Sequence, residues 1–245
     1  MKKIILQFIF VFIVGGLAGI IFNVFLVPYL ASLSFFSNVD FLHNSFSGTT
    51  IINPTERVII KESQATEDAI EKNLNKVVVI ESYKDGKVLT EGTGFILTGD
   101  GLLVTSNNLI PKRADSYKVL YQNEYTEAEV NKRDLENNLA LLSVDKEDLP
   151  IFSFAEIEKI RLGEEIILLA GKKNKSEENS FFVNLGVIRS FSKDQIETNL
   201  KESNQKANGA PLVNIKGEAV GLALINDQGL VGVIGIDKIR SILNN

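Results

Sequence analysis

The chain contains no cysteine and a single histidine, His43. Without cysteine, disulfide bonds and thiolate metal sites are excluded. With one histidine and no clustered carboxylate motif, we expect neither a metal site nor a cofactor. Imidazole is the usual base that activates a serine hydroxyl at neutral pH, so the lone histidine also limits catalysis. His43 lies well before the strand-rich region that starts at Val77, and we expect it to be a solvated linker residue.

Acidic residues are absent before Asp40, and Lys2 and Lys3 are the only charged residues in that part of the chain. Without these two lysines, 24 basic residues remain against 31 acidic ones, which leaves a net charge of −7. Such a surface repels phosphate groups. We therefore expect no nucleic-acid partner.

A run of 24 uncharged residues, Ile4–Val27, follows the two lysines. As a helix it would be about 36 Å long, which is enough to cross a hydrocarbon core of about 30 Å. The apolar region of a cleaved signal peptide is shorter, usually about 7–15 residues, so an uncleaved anchor is favoured. No further Lys or Arg occurs until Arg57, which places the N-terminus in the cytoplasm. We predict a single-pass cell-membrane protein whose remaining residues are extracytoplasmic.

Three regions are expected along the chain: an anchor over residues 1–33, a linker over 34–65 and a folded domain over 66–245. The linker carries phenylalanines that suit either the membrane interface or packing onto the domain, namely Phe35, Phe36, Phe41 and Phe46. Within the anchor, Gly15 and Gly19 form a G-x-x-x-G, a candidate face for homo-oligomer contacts. The alternative is that small residues are simply tolerated in a membrane helix.

The folded domain begins with a predicted helix that has Thr66 as its N-cap and runs through Leu74. From Val77 onward, short apolar runs alternate with glycine-bearing turns, which is typical of a sandwich or barrel. The runs form two sets, over about 77–150 and 151–235. A terminal helix over 236–243 presents one apolar side, composed of Ile236, Ile239, Ile242 and Leu243.

Three segments carry the chemical information. Residues 206–213 read K-A-N-G-A-P-L-V, residues 100–110 read D-G-L-L-V-T-S-N-N-L-I, and residues 134–142 read D-L-E-N-N-L-A-L-L. They resemble the serine, histidine and aspartate segments of HtrA/Deg-type serine proteases, which read G-N-S-G-G-P-L-V, D-G-x-I-L-T-N-x-H-V-V and D-x-x-x-D-L-A-V-L. Their order along the chain is that of chymotrypsin-like enzymes. The resemblance extends from about Val77 to Leu243, and residues 92–96, 161–164 and 217–221 also fit it.

This resemblance implies an all-β, chymotrypsin-like fold with two six-stranded barrels and a C-terminal helix, preceded here by one transmembrane helix. It also implies that the triad positions hold Asn108, Asn138 and Asn208. An amide is neither a base nor an activated nucleophile, and losing serine or histidine alone from a related triad costs about 10⁶ in turnover. We therefore expect an inactive serine protease homologue.

The oxyanion loop is also expected to be degraded. In the family, glycine opens this loop so that its backbone N–H can turn toward the developing negative charge. Lys206 stands at that position, and Ala210 replaces the glycine that follows Gly209. The residues after Leu243 leave no room for the PDZ domain that many HtrA relatives carry, so we expect none.

Three functions stay open at this point. The leading hypothesis is a membrane-tethered pseudoprotease that binds a peptide or protein in its vestigial cleft, because an extended peptide needs only a strand edge. The resemblance points to the edge formed by Leu222, Ala223, Leu224 and Ile225. The alternatives are a serine-type endopeptidase of the bacterial envelope, and a structural envelope module without a ligand.

Overall fold

The computed structural model describes residues 2–26, 29, 62–192 and 196–244. The chain divides into two compact units, residues 1–58 and 59–245. Most of the predicted linker, residues 34–61, lies outside the described residues. This part includes His43 and the four phenylalanines of the linker.

In the N-terminal unit, the described residues form helix α1 (Lys2–Ile21), which continues as a π-helical segment over Phe22–Leu26. Within it, Gln7–Leu26 has a mean hydropathy of 2.6 and is the one described helix long and apolar enough to cross a membrane. A Cβ added at Gly15 or Gly19 would have no atom within 4 Å. Their role in helix pairing stays a prediction.

The second unit opens with helix α2 (Glu62–Leu74). The prediction that Thr66 caps this helix is wrong, because Thr66 lies one turn inside it. The preceding Glu62, Gln64 and Ala65 are good helix formers, so this turn joins the helix. At the other end, Asn73 Nδ2 donates to the carbonyl of Gly217 at 3.0 Å and fixes α2 on the second barrel.

The first barrel is closed and antiparallel, with the strand order β1-β2-β3-β6-β5-β4. Alternate residues such as Val78 and Ile80 on β1 point into its apolar interior, as the two-residue repeat of a strand requires. The strands are β1 (Val77–Lys84), β2 (Lys87–Ile96), β3 (Leu102–Ser106), β4 (Ser116–Tyr121), β5 (Glu124–Asp134) and β6 (Leu139–Val144).

The second barrel has the order β8-β9-β10-β13-β12-β11 and is closed by pairing of β11 with β12. A two-residue strand, β7, adds to β12 in parallel. The prediction of two six-stranded barrels is thus confirmed. The strands are β7 (Ser153–Phe154), β8 (Glu165–Lys173), β9 (Asn179–Phe191), β10 (Ile196–Lys201), β11 (Pro211–Asn214), β12 (Glu218–Ile225) and β13 (Leu230–Gly235).

An apolar core joins the two barrels and the terminal helix α3 (Ile236–Asn244). The rings of Phe95 on β2 and Phe152 before β7 meet edge to face, with centroids 5.3 Å apart. Helix α3 ends one residue after the predicted Leu243 and buries its predicted apolar side, with Leu243 only partly covered. This core holds the barrels together beside the segments that carry the three asparagines.

Candidate functional site

Asn108 and Asn138 lie on neighbouring turns of the first barrel. Asn108 belongs to a short 3-10 turn after β3, and Asn138 ends the turn between β5 and β6 with a φ of 54°. The Oδ1 atom of Asn138 accepts a hydrogen bond from the backbone N–H of Asn108 at 3.2 Å. The Asn138 carbonyl accepts another from Asn107 N at 3.0 Å. The pair therefore holds two turns together, and the Asn138 amide is directed at backbone.

The segment around the third asparagine, loop 204–210, folds into a tight turn of its own. Residues Gln205–Ala207 form a 3-10 turn that Asn204 caps, with Asn204 Oδ1 accepting from Lys206 N at 3.1 Å. The backbone N–H of Asn208 donates to the Gln205 carbonyl at 3.0 Å. Both N–H groups are therefore used inside the loop. In a trypsin-like enzyme, the N–H groups of the nucleophile and of the residue two positions earlier form the oxyanion hole.

Loop 204–210 is seated on strand β2 of the first barrel. Thr93 N donates to the Asn208 carbonyl at 2.9 Å, and Thr93 Oγ1 donates to the Lys206 carbonyl at 2.7 Å. Gly209 has a φ of +82°, and a Cβ there would collide with Thr93 O and Thr105 Oγ1. Glycine is therefore required at 209 both for its backbone conformation and for space.

The side chain of Asn208 turns toward the second barrel. Its Oδ1 accepts from Ile225 N at 2.8 Å, and its Nδ2 donates to Gln205 Oε1 at 2.9 Å. Gln205 Nε2 in turn donates to the Asn226 carbonyl at 3.3 Å. We call the two side chains of Gln205 and Asn208 the amide bridge. It connects loop 204–210 to the end of β12.

The predicted peptide edge on β12 is largely occupied. Leu222 pairs with Pro211 on one side and Ile234 on the other. Ala223 N donates to the Ala210 carbonyl at 2.8 Å, and Ala223 O accepts from Gly209 N at 2.9 Å. The prediction of an edge over Leu222–Ile225 therefore needs correction, because β11 and loop 204–210 already pair with its first two residues.

The C-terminal end of that predicted edge, Leu224 and Ile225, does not pair with β11. Leu224 pairs with Gly232 of β13, and its side chain is half-buried. The N–H of Ile225 is bonded to the amide bridge. An incoming peptide could pair with β12 here only after the bridge had moved.

Lys206 forms an ion pair across the two barrels. Its Nζ lies 2.7 Å from Oε1 of Glu91 on β2, and the side chains are 37% and 15% exposed. The same Glu91 oxygen accepts from Lys173 N at 3.3 Å, at the end of β8. The lysine that replaces the expected glycine thus adds a contact that holds loop 204–210 against the first barrel.

A buried carboxylate lies deeper at the same boundary. Glu81 on β1 is fully buried, with Lys173 Nζ 2.9 Å from its Oε1 and Tyr83 OH donating to its Oε2 at 2.7 Å. Burial raises the pKa of Glu81, but the bonds from Lys173 and Tyr83 outweigh it, and the pKa is lowered from 4.5. Burial and the nearby Glu81 raise the pKa of Tyr125 to about 12. Glu81 is therefore an ionised structural group.

Asp134, an acidic residue in the segment over 134–142, is held within its own turn. Asp134 lies close to Asn138 in the sequence, but its carboxylate accepts from Asn137 N at 2.9 Å and from Asn137 Nδ2 at 2.6 Å. These bonds lower the pKa of Asp134, so it is a weak base tied into its own turn. Among the described residues, no group of three or more acidic or histidine side chains could hold a metal ion.

The structure thus brings the three asparagine segments to one boundary, and it gives the side chains of Asn138 and Asn208 structural hydrogen bonds. Sequence reasoning missed Gln205 and Glu91. Neither belongs to a recognised motif, although Glu91 directly precedes the segment over 92–96 and Gln205 directly precedes Lys206. Gln205 contacts Asn226 and Glu91 contacts Lys206, and these partners are far away in the sequence, so only the fold identifies these roles.

Comparison with known proteins supplies independent information. A family model described as a trypsin-like peptidase domain matches residues 92–222, which is more than half of the chain. The chain is 26% identical over 158 residues to a protein of Chlamydia pneumoniae named a probable DegP-like periplasmic serine endoprotease, covering 61% of this chain and 32% of that protein.

Two vertebrate relatives are similar at the same level. The serine protease HTR4 of Rattus norvegicus is 26% identical over 193 residues, covering 71% of this chain and 39% of its own length. The serine protease HTRA1A of Danio rerio is 26% identical over 195 residues, covering 72% and 40%. The chain therefore spans between about a third and two fifths of the length of these relatives.

Proposed function

Because this chain belongs to the family of trypsin-like peptidase domains, we propose that it is a non-catalytic member that binds an extended peptide or protein segment. The segment would lie in the cleft between the barrels, beside the end of β12. The domain would act outside the cytoplasm, tethered to the membrane by α1.

The internal use of two backbone donors carries the non-catalytic part of this proposal. Lys206 N is bonded to Asn204 Oδ1 and Asn208 N to the Gln205 carbonyl, so neither is directed at a substrate oxygen. Removing a single oxyanion donor typically costs about 10²–10³ in rate. Asparagine at 108, 138 and 208 supports the same conclusion, since no amide can take a proton from a nucleophile at neutral pH.

The membrane tether rests on α1 and on its flanking charges. An apolar helix of the length of Gln7–Leu26 fits a hydrocarbon core, and two lysines precede it. The lysines favour a cytoplasmic N-terminus and an extracytoplasmic C-terminal domain. The name of the Chlamydia pneumoniae relative contains the word periplasmic, which agrees with this orientation.

One observation favours a second candidate, a structural module with no ligand. The N–H of Ile225 and the carbonyl of Asn226 are already bonded within the chain. If the amide bridge never opens, the cleft presents no strand end to a partner. The domain would then serve as a folded spacer or an assembly surface.

A single titration separates these functions. The full chain in detergent micelles is mixed with fluorescein-labelled β-casein, an unfolded protein rich in extended segments. The fluorescence anisotropy of the casein reports binding, and the length of the casein chain, measured in the same samples, reports cleavage. We expect saturable binding with the casein intact, and no binding of folded ribonuclease as a control. Cleavage of casein would support the endopeptidase, and the absence of saturable binding would support the structural module.

A further inference from the structure

The end of β12 presents one backbone donor and one backbone acceptor to the amide bridge. The donor, Ile225 N–H, is bonded to Asn208 Oδ1 at 2.8 Å, and the acceptor, Asn226 O, is bonded to Gln205 Nε2 at 3.3 Å. A peptide that pairs with a strand offers the same two kinds of group from its backbone. The bridge therefore occupies the donor that a bound peptide would need here, Ile225 N–H, whereas the Asn226 carbonyl also accepts from Gly229 N in its own turn at 2.9 Å.

The bridge is internally complete. Asn208 Nδ2 donates to Gln205 Oε1 at 2.9 Å and to the Gln205 carbonyl at 3.0 Å. Asn208 is only partly exposed, whereas Gln205 is exposed on the outer side. The bridge can thus be reached from solvent at Gln205. It consists of flexible side chains, so it can open without unfolding either barrel.

We propose that Gln205 and Asn208 form an autoinhibitory bridge, which an incoming extended segment must displace before it pairs with β12. This inference rests on the proposed peptide-binding function and adds its regulation. It also gives Asn208 a role that serine could not fill, because a serine side chain is one atom shorter and would not span the gap to Ile225. Asn208 then has a function in the cleft, which is to block the end of β12 until a peptide displaces it.

Binding to substituted chains tests the proposal. Asn208→Ala removes the bond to Ile225 and the bond to the Gln205 side chain, and Gln205→Ala removes the bond to Asn226. The matched control is Gln228→Ala, an exposed glutamine in the turn after β12 that lies outside the bridge. With the full chain in micelles and labelled β-casein, we expect about tenfold tighter binding for Asn208→Ala, since two hydrogen bonds of ordinary strength no longer compete. Gln205→Ala should bind a few-fold tighter, and Gln228→Ala should equal the parent.

Hydrogen exchange at the Ile225 amide, followed by mass spectrometry, gives a readout that does not depend on casein. We expect slow exchange in the parent chain, exchange about tenfold faster in Asn208→Ala, and renewed protection when casein binds. Thermal unfolding of each variant confirms that the barrels remain folded, and Gln205→Ala serves alone if Asn208→Ala does not fold.

The outcomes distinguish the inference from the function on which it rests. Equal casein affinities in the parent, Asn208→Ala and Gln205→Ala would overturn the autoinhibitory bridge and leave peptide binding intact. No casein binding by any of the proteins would overturn both. Unchanged exchange at Ile225 in Asn208→Ala would overturn the bridge whatever casein does.

Discussion

Lys206 on loop 204–210 and Glu91 on β2 form an ion pair, with 2.7 Å between Nζ and Oε1. The loop is thus held on two sides, by this pair toward the first barrel and by Asn208 toward Ile225 of the second. Both contacts use side chains that a trypsin-like protease would not carry at these positions. The loop is therefore stabilised in a closed turn by contacts to both barrels.

The close packing around Gly209 predicts a large loss of stability for Gly209→Ala. A new Cβ would collide with Thr93 O and Thr105 Oγ1, and it would add strain at a φ of +82°. Overpacking costs about 1–3 kcal/mol and the left-handed backbone about 1–2 kcal/mol, so we expect a loss of roughly 2–5 kcal/mol in the free energy of unfolding.

Urea unfolding of the full chain in micelles measures this loss. The matched control is Gly163→Ala, where φ is +79° but no atom lies within 4 Å of the new Cβ. Only the backbone strain remains there, about 1–2 kcal/mol. Equal losses at the two sites would mean that loop 204–210 is not packed against β2.

The buried pair of Glu81 and Lys173 predicts a strong effect of Lys173→Met. The substitution leaves a fully buried carboxylate without its cation, which typically costs about 3–5 kcal/mol. The control is Lys84→Met, because the Lys84–Asp115 pair is just as short, at 2.7 Å, but about half exposed. An exposed pair contributes little to stability, because solvent screens it. Denaturant unfolding at pH 7 compares the two variants.

The same pair predicts a pH dependence whose sign differs between the proteins. In the parent chain the pKa of Glu81 is lowered, so its stabilisation is present above the ordinary value of 4.5 and is lost as pH falls through the folded value. In Lys173→Met, burial dominates and raises the pKa of Glu81. The deficit of this variant relative to the parent should then shrink as pH falls from 7 through the raised pKa of the variant and on through the lowered pKa of the parent. A deficit that stays constant from pH 7 to pH 4 would show that Glu81 is not the cause.

Much of the architecture could be predicted from the sequence, and the reasons are local. Short apolar runs and glycine turns indicate barrels, and the ordered segments around Asn108, Asn138 and Asn208 select the chymotrypsin-like arrangement. The start of α2 could not be predicted, because Thr66 resembles a cap while the residues before it are equally good inside a helix. A single-residue signal cannot decide between two favourable local states.

The internal contacts of the site could not be predicted. Asn208 and Ile225 are 17 residues apart, Gln205 and Asn226 are 21 apart, and Glu91 lies in the other barrel from Lys206. Amide and ammonium groups of this kind find partners only after the fold has set the distances. For the same reason, the sequence suggested an open edge at Leu222 and Ala223, which β11 and loop 204–210 in fact occupy.

Restoring the triad residues should not restore catalysis. The triple variant Asn108→His, Asn138→Asp and Asn208→Ser supplies a base, its orienting group and a nucleophile. We nevertheless expect no casein cleavage above that of the parent chain, because Lys206 N remains bonded to Asn204 Oδ1 and stays unavailable to an oxyanion. Fluorescent casein hydrolysis by the full chain measures this.

Releasing loop 204–210 should raise catalytic activity more than the triad substitutions alone. Adding Lys206→Gly, Ala210→Gly and Asn204→Ala to the triple variant removes the ion pair and the cap. A recovered oxyanion donor is worth about 10²–10³ in rate, so any activity should emerge only in this set. Efficient cleavage by the triple variant alone would indicate that the loop retains a protease conformation.

The most direct test of the central claim is labelling by a fluorophosphonate probe, which reacts only with an activated serine. The full chain in micelles is incubated with the probe at neutral pH, beside a heat-denatured sample, and modified residues are identified by mass spectrometry. With asparagine at 108, 138 and 208, and with the N–H groups of Lys206 and Asn208 bonded internally, we predict no labelled serine in either sample. A serine that is labelled in the folded chain and unlabelled after denaturation would contradict the non-catalytic function.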